Sequence, residues 1–250
     1  MVERKGEFIA MKRTAILLII IASIAVAPSV FAQEWQPAGD TWIEKWWGLD
    51  LVRNTGAHTD AAARDFLDEG TGGEINNAKV STRWGAGLTG QLTVNLSDNG
   101  GALGWSVITL DTGSDRNIST SHGFTDESNV AWHGIILVLS PDDRTTTIYP
   151  THDDNAQIWL NGVQVYNNPS WTSGVHNAPS PTEIELIKGE NFLHYKVSEG
   201  GGGDYVNLRF DEADTDLKIA PTVDGRFLDV LTPVEPKGKL TTMWADIKRK

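Results

Sequence analysis

The chain contains no cysteine, which excludes disulfides, thiolate zinc sites, cysteine nucleophiles and a lipid-anchored N-terminal cysteine. Basic side chains are scarce too: 21 Lys and Arg face 33 Asp and Glu in 250 residues, a net charge of −12. A surface of that sign repels phosphate backbones, and no basic patch interleaved with aromatics offsets it, which argues against a nucleic-acid partner. Long apolar runs are limited to one, from Ala15 to Ala27, shorter than the roughly 20 residues of a spanning helix. Neither Gly-x-Ser-x-Gly nor His-Glu-x-x-His occurs, the six histidines being scattered, so no catalytic motif is found. What is present is core material. Apolar residues make up 40% of the chain and include ten Trp, which excludes wholesale disorder.

The apolar run has the layout of a signal peptide. Lys12 and Arg13 precede it, and Pro28-Ser29-Val30-Phe31-Ala32 follows, with Val30 and Ala32 at the positions a signal peptidase reads. Met11 offers an internal start. The expected organisation is a signal peptide over residues 1–32, a β domain over 33–222, and a linker with a basic tail over 223–250. An uncleaved anchor is the alternative at the N-terminus. Export without cysteine suits a bacterial periplasm, cell surface or medium, since a domain of this length buries enough surface without disulfide staples. No membrane association is expected after signal removal. The tail, Leu240–Lys250, reads either as a sorting or docking signal or as a frayed terminus.

From Gln91 onward short strands alternate with turn chemistry. The expected strands are Gln91–Leu96, Trp105–Leu110, His133–Leu139, Thr145–Tyr149, Ala156–Leu160, Val163–Tyr166, Glu183–Ile187, Phe192–Ser198 and Tyr205–Phe210. In Phe192–Ser198, Leu193, Tyr195 and Val197 alternate with His194 and Lys196, the mark of an antiparallel sheet wet on one side. Asn161-Gly162 between two strands demands a type I′ hairpin. Only Asp60–Leu67 reads as helical. The expected fold is all-β, a two-sheet antiparallel β-sandwich of jelly-roll type.

The stretch Asp153-Asp154-Asn155-Ala156-Gln157-Ile158-Trp159-Leu160-Asn161-Gly162 resembles the DD…V.VWLNG hairpin of galactose-binding-like, carbohydrate-binding-module-like jelly rolls of bacterial secreted and cell-surface proteins. Leu186–Leu193 is similar to that family's L.KG.N.LL strand pair, and Gly200–Phe210 to its closing GGGW.F.LR strand. Trp47–Asn54 and Phe66–Glu74 resemble its opening, with Leu49-Asp50-Leu51 in place of Gly-Pro-Phe. The resemblance spans Trp46 to Pro221. It implies a non-catalytic module, with a sugar ligand in some members and often a structural calcium.

Three candidate sites stand out. Asp153, Asp154 and Asn155 gather hard oxygen donors on one loop, with Asp142 and Asp143 a strand earlier and Asp211, Glu212, Asp214 and Asp216 after the last strand. Loops meeting at a sandwich end would build a calcium site from them; the same Asx residues also end strands with no ion. The loop around Trp171 places an aromatic platform among planar polar groups, Asn167, Asn168, His176 and Asn177, a composition suited to a polysaccharide or glycoconjugate. Alternatively Trp171 caps the sandwich edge. Gly85–Gly90 matches a dinucleotide fingerprint but precedes a strand instead of opening a helix, so it reads as a glycine-rich loop. Trp35, Trp42, Trp46 and Trp47 read as a core staple. The leading expectation is an exported carbohydrate-binding module. A structural or adhesive cell-envelope protein with no small-molecule ligand is the main alternative, binding to an envelope protein partner is another, and a carboxylate-pair glycosidase is the lesser one.

Overall fold

All nine strands expected from the alternating pattern occur in the computed structural model, which describes residues 35–172 and 180–221. In chain order the fold begins with β1 (Lys45–Leu49) and β2 (Val52–Arg53). Four short helices follow, α1 (His58–Ala63), α2 (Phe66–Thr71), α3 (Asn77–Val80) and α4 (Arg83–Thr89). Next come the small hairpin β3 (Val94–Leu96) and β4 (Gly101–Leu103), then β5 (Trp105–Thr109), α5 (Ile118–Ser121) and β6 (Val130–Ser140). The remainder is strand: β7 (Arg144–His152), β8 (Asn155–Leu160), β9 (Val163–Asn168), β10 (Thr182–Leu186), β11 (Gly189–Glu199), β12 (Val206–Phe210) and β13 (Lys218–Ala220). An eight-stranded antiparallel sheet runs β5-β1-β6-β11-β8-β9, with β2 and β13 also paired to β6, and a three-stranded sheet runs β10-β7-β12.

The two sheets pack face to face. Trp46, Trp132, Ile136, Ile158, Leu193 and Tyr195 from the large sheet meet Ile148, Ile184, Val206, Leu208 and Phe210 from the small one in a single core. The Asn161-Gly162 turn joins β8 to β9 with φ of 50° and 88°, as a type I′ hairpin requires. Asn161 also locks the neighbouring turn, its Nδ2 donating to Asn191 Oδ1 at 2.8 Å and its Oδ1 accepting from Phe192 N at 3.0 Å.

The second face of the large sheet corrects the expectation of a wet side. α1 to α4 and the β3–β4 hairpin cover it, and Phe66, Leu67, Ile75, Val80 and Ala86 pack there against Trp47, Leu49, Ile135 and Phe192. His194 and Lys196 are therefore buried, at 0% and 1% exposure. Each is hydrogen-bonded, as buried polar groups must be. Lys196 Nζ donates to the carbonyls of Ala62 and Arg64 at 3.1 and 2.5 Å, closing the end of α1. His194 stacks between Trp159 and His133, and its Nδ1 donates to Asn77 O at 3.0 Å. Burial pushes His194 down to about 3 and His133 well below the usual imidazole range, so both rings are neutral. The helical reading confined to Asp60–Leu67 was too narrow because helices of four to seven residues carry no measurable periodicity.

Gly85–Gly90 is likewise corrected: it forms the body of α4 and its C-cap, not a loop. Thr82 Oγ1 accepts from Gly85 N at 3.1 Å and so caps the helix. The glycine serves close packing, because a Cβ on Gly85 would lie 1.9 Å from the Lys79 carbonyl oxygen. The tryptophan staple holds only in part. Trp46 and Trp47 are buried on opposite faces of β1, while Trp35 is 41% exposed and Trp42 lies under the Arg209 guanidinium. Gly85→Ala is expected to destabilise the protein by about 1–3 kcal/mol through this backbone clash, although alanine is the better helix former. Gly101→Ala, with open space around it, serves as the control. Equal urea midpoints for the two variants would refute this account of α4.

Candidate functional site

Two chain crossings define one end of the sandwich. β7 belongs to the small sheet and β8 to the large one, so the chain changes sheets through Asp153 and Asp154, which are joined by a cis peptide bond. Later β11 in the large sheet gives way to β12 in the small one through Gly200–Gly203, Asp204 and Tyr205. Because β8 pairs with β11, in the register Asn155 to Ser198, both crossings fall side by side. Backbone bonds fix them together: Asp154 N donates to Ser198 O and Asp153 N to Tyr205 O, each at 3.1 Å.

The result is a buried carboxylate cluster of Asp153, Asp154 and Glu199, with exposures of 7%, 2% and 1%. One carboxylate oxygen of each lies within 4.8 Å of the other two, the span available to oxygens about 2.4 Å from a shared calcium ion. Asp154 Oδ2 accepts from Gly200 N at 3.0 Å and stands 3.4 Å from His58 Nδ1. Asp154 Oδ1 and both oxygens of Glu199 are buried without a hydrogen-bond partner. Unpaired buried carboxylate oxygens are costly unless a proton or a cation meets them. Burial, reinforced by Asp154, pushes the Asp153 carboxyl up to about 7, and the same causes drive Glu199 upward. Nearby Asp204, whose Oδ2 accepts from Ser119 N at 3.0 Å, is raised to about 6 by burial. The donor set is all oxygen, which suits calcium, magnesium or manganese and not zinc or copper.

The surroundings are rigid. Asn155 has its amide committed, Nδ2 donating to His58 O at 2.7 Å and Oδ1 accepting from Ser198 Oγ at 2.6 Å. His152 is held neutral, pushed down to about 4 by burial. One tautomer satisfies its ring contacts, with Nδ1 donating to Asp154 O at 3.0 Å and standing 3.1 Å from Thr172 Oγ1, and Nε2 accepting from Tyr166 Oη at 2.7 Å.

Of the residues expected on the aromatic loop, Trp171 is 64% exposed and so does not cap the sandwich edge. Its neighbour Thr172 ties it to the backbone of the loop that carries two of the carboxylates, since Thr172 N donates to the Asp154 carbonyl at 3.1 Å. Asn167 and Asn168 end β9, opposite Gln157 and Ala156. Asn167 Oδ1 accepts from Gln157 Nε2 at 3.4 Å, and Asn168 Oδ1 from Ser170 N at 3.1 Å. His176 and Asn177 lie outside the described residues. The other acidic residues do not join the cluster. Asp142, Asp214 and Asp216 gather around Arg144, at the opposite end of β7, at 2.6, 3.2 and 2.7 Å. Glu199 is the member that sequence reading missed. The one available signal is its position, an acidic residue closing a strand directly before four glycines.

No family model and no curated protein matches the chain. Among solved structures it is similar to a PA14 sugar-binding domain from an RTX adhesin, at 13% identity and TM-score 0.34, over 68% of this chain and 92% of that one. The PA14 domain of the MpAFP antifreeze protein matches at 12% identity and TM-score 0.33, over 76% and 96%. An anti-sigma factor domain-containing protein from Clostridium clariflavum matches at 20% identity and TM-score 0.30, over 43% of this chain. This chain spans 34% of that protein's length. At these TM-scores the likeness assigns the chain neither a family nor a ligand.

The carboxylate cluster has a measurable pH signature. Asp153 binds its proton more tightly in the folded protein than in the unfolded chain, where its carboxyl titrates near 3.8. Between about pH 4 and pH 7 this carboxyl therefore contributes stability that is lost as pH rises, while the buried His133, His152 and His194, held neutral in the folded protein, act in the opposite sense. In chelator, the wild-type thermal midpoint measured relative to that of Asp153→Asn is expected to fall across this window, since the histidines act alike in both proteins. A midpoint difference that instead grows with pH would contradict the buried-carboxylate geometry.

Proposed function

We propose that the protein is an exported, non-catalytic module of galactose-binding-like jelly-roll type, which binds carbohydrate beside a structural calcium ion. Asp153, Asp154 and Glu199 would hold the ion, and Asn155 would brace the loop that carries two of them. Calcium takes six to eight oxygens, so three carboxylates leave positions for water, backbone carbonyls and the vicinal hydroxyls of a sugar. Trp171 would offer its ring to the C–H face of the bound pyranose. The observation that carries this reading is the link between the cluster and the platform. Thr172, next to the exposed Trp171, donates to the carbonyl of buried Asp154, so a sugar on the ion would lie beside the ring. The signal-peptide layout at residues 12–32 supports export, and the polysaccharides of an envelope or its surroundings fit the ligand class.

Two measurements test the reading. Calcium is expected to raise the thermal midpoint of the wild type but not of a Glu199→Gln, Asp154→Asn double variant. On a glycan array, calcium-dependent hits are expected to weaken about tenfold in Trp171→Ala, from the loss of one aromatic stacking contact, with calcium binding retained. A blank array for calcium-loaded protein would overturn the sugar reading in favour of an envelope scaffold. Hits that survive chelation would overturn the role of the ion.

A further inference from the structure

The two sheets end on the same side of the sandwich, the large one at β9 and the small one at β10. Between these strands, beside the β8–β9 turn, lies a groove of about 390 Å³. Leu160, Val165 and Ile184 line it and belong to, or pack on, the main core, while Val163 and Ile187 line it at 64% and 55% exposure. Core side chains therefore reach the surface at an open sheet edge, a feature that marks docking sites in soluble proteins. The groove lies away from the carboxylate cluster, since β8 leaves the cluster at Asn155 and meets the groove at Leu160.

Charge narrows the choice of occupant. Among the described residues that line the groove, the two charged ones, Glu183 and Glu185, are exposed and acidic. Glu185 Oε1 accepts from Thr145 Oγ1 at 2.7 Å, a neutral partner that leaves the charge in place. The next cation along the chain, Lys188, has Asp143 beside it, with Asp143 Oδ1 accepting from its backbone N at 2.6 Å. Two copies docked groove to groove would set four glutamates against one another, which is costly. A basic segment with an apolar stripe fits instead, and the chain carries one outside the described residues. Lys237 to Lys250 holds five Lys or Arg and one Asp. Leu240, Met243, Trp244 and Ile247 follow the i, i+3, i+4, i+7 spacing by which a helix offers one apolar face to a groove. The 18 residues from 222 to 239 span up to about 60 Å, enough to reach any face of a domain of this length. Tethering also raises the local concentration of the segment to the order of millimolar, so a weak contact forms within one chain. We propose that Leu240–Lys250 docks in the β9–β10 groove of its own chain, its apolar stripe against Val163 and Ile187 and its lysines toward Glu183 and Glu185. This inference is independent of the carbohydrate reading.

Carbodiimide cross-linking of an equal mixture of isotopically light and heavy protein tests it. The reagent condenses a lysine amine with a carboxylate in contact with it, and the carbodiimide takes up the water as a urea when the amide forms. Links from Lys239, Lys248 or Lys250 to Glu183 or Glu185 are expected, each within one copy. In Met243→Ser with Trp244→Ser these links are expected to fall about fivefold, and amide exchange in β9 and β10 to quicken by a similar factor. Val163→Ser with Ile187→Ser changes two side chains that are over half exposed. This second pair is expected to reduce the links equally while the circular dichroism stays that of the wild type. Links that join light to heavy protein would overturn docking within one chain in favour of a contact between copies. Links that are absent, that reach other carboxylates instead, or that persist in either double variant would overturn the groove as the docking site.

Discussion

Three carboxylates buried at the point where the chain passes between its two sheets set the terms for this end of the molecule. Asp153, Asp154 and Glu199 lie almost wholly out of water, and three of their oxygens have no hydrogen-bond partner. A group of like charges in such a place needs counter-charge, from protons or from a cation. Protons suffice only while the pH stays below the raised titration range. A divalent ion suffices throughout the neutral range and makes use of the unpaired oxygens. The nearby contacts have the character of a fixed frame. Asn155 is spent on His58 and Ser198, His152 on Asp154 and Tyr166, and Thr172 on the Asp154 carbonyl.

The frame is stiff because its two central strands are buried on both faces. β6 and β11 pair along eleven residues, from Gly189 opposite Ser140 to Glu199 opposite Val130. One face meets the small sheet and the other meets the helical layer. Glu199 is the last residue of that ladder, so its position is set by the longest strand pairing among the described residues. Preorganisation of this kind lowers the ordering cost of binding. By contrast, Trp171 stands at the surface, where a ligand can reach it.

The strands were legible in sequence because period two survives even in short segments, and Asn161-Gly162 left no other turn open. Structure extends several of them by a residue or more, as with β11, expected over Phe192–Ser198 and found over Gly189–Glu199. The helical layer was not legible, since its helices are brief and their apolar residues are spread over residues 58–89. That omission produced the error at His194 and Lys196: polar residues alternating with apolar ones look solvent-facing unless a covering layer is known. The site was half legible. Asp153 and Asp154 are adjacent in sequence and Trp171 is conspicuous, but Glu199 joins them only through the β8–β11 pairing. Contacts between segments some 85 residues apart, as from Ser119 to Asp204, are likewise encoded by no local pattern.

The central claim is that a divalent cation replaces protons in the carboxylate cluster. Calorimetric titration of calcium into the protein at pH 6, in two buffers of different ionisation enthalpy, tests it most directly. One ion per chain is expected, with protons released on binding, and both the heat and the release abolished in Asp154→Asn with Glu199→Gln. Calcium binding at full affinity in that variant, or binding by the wild type with no proton release, would contradict the account.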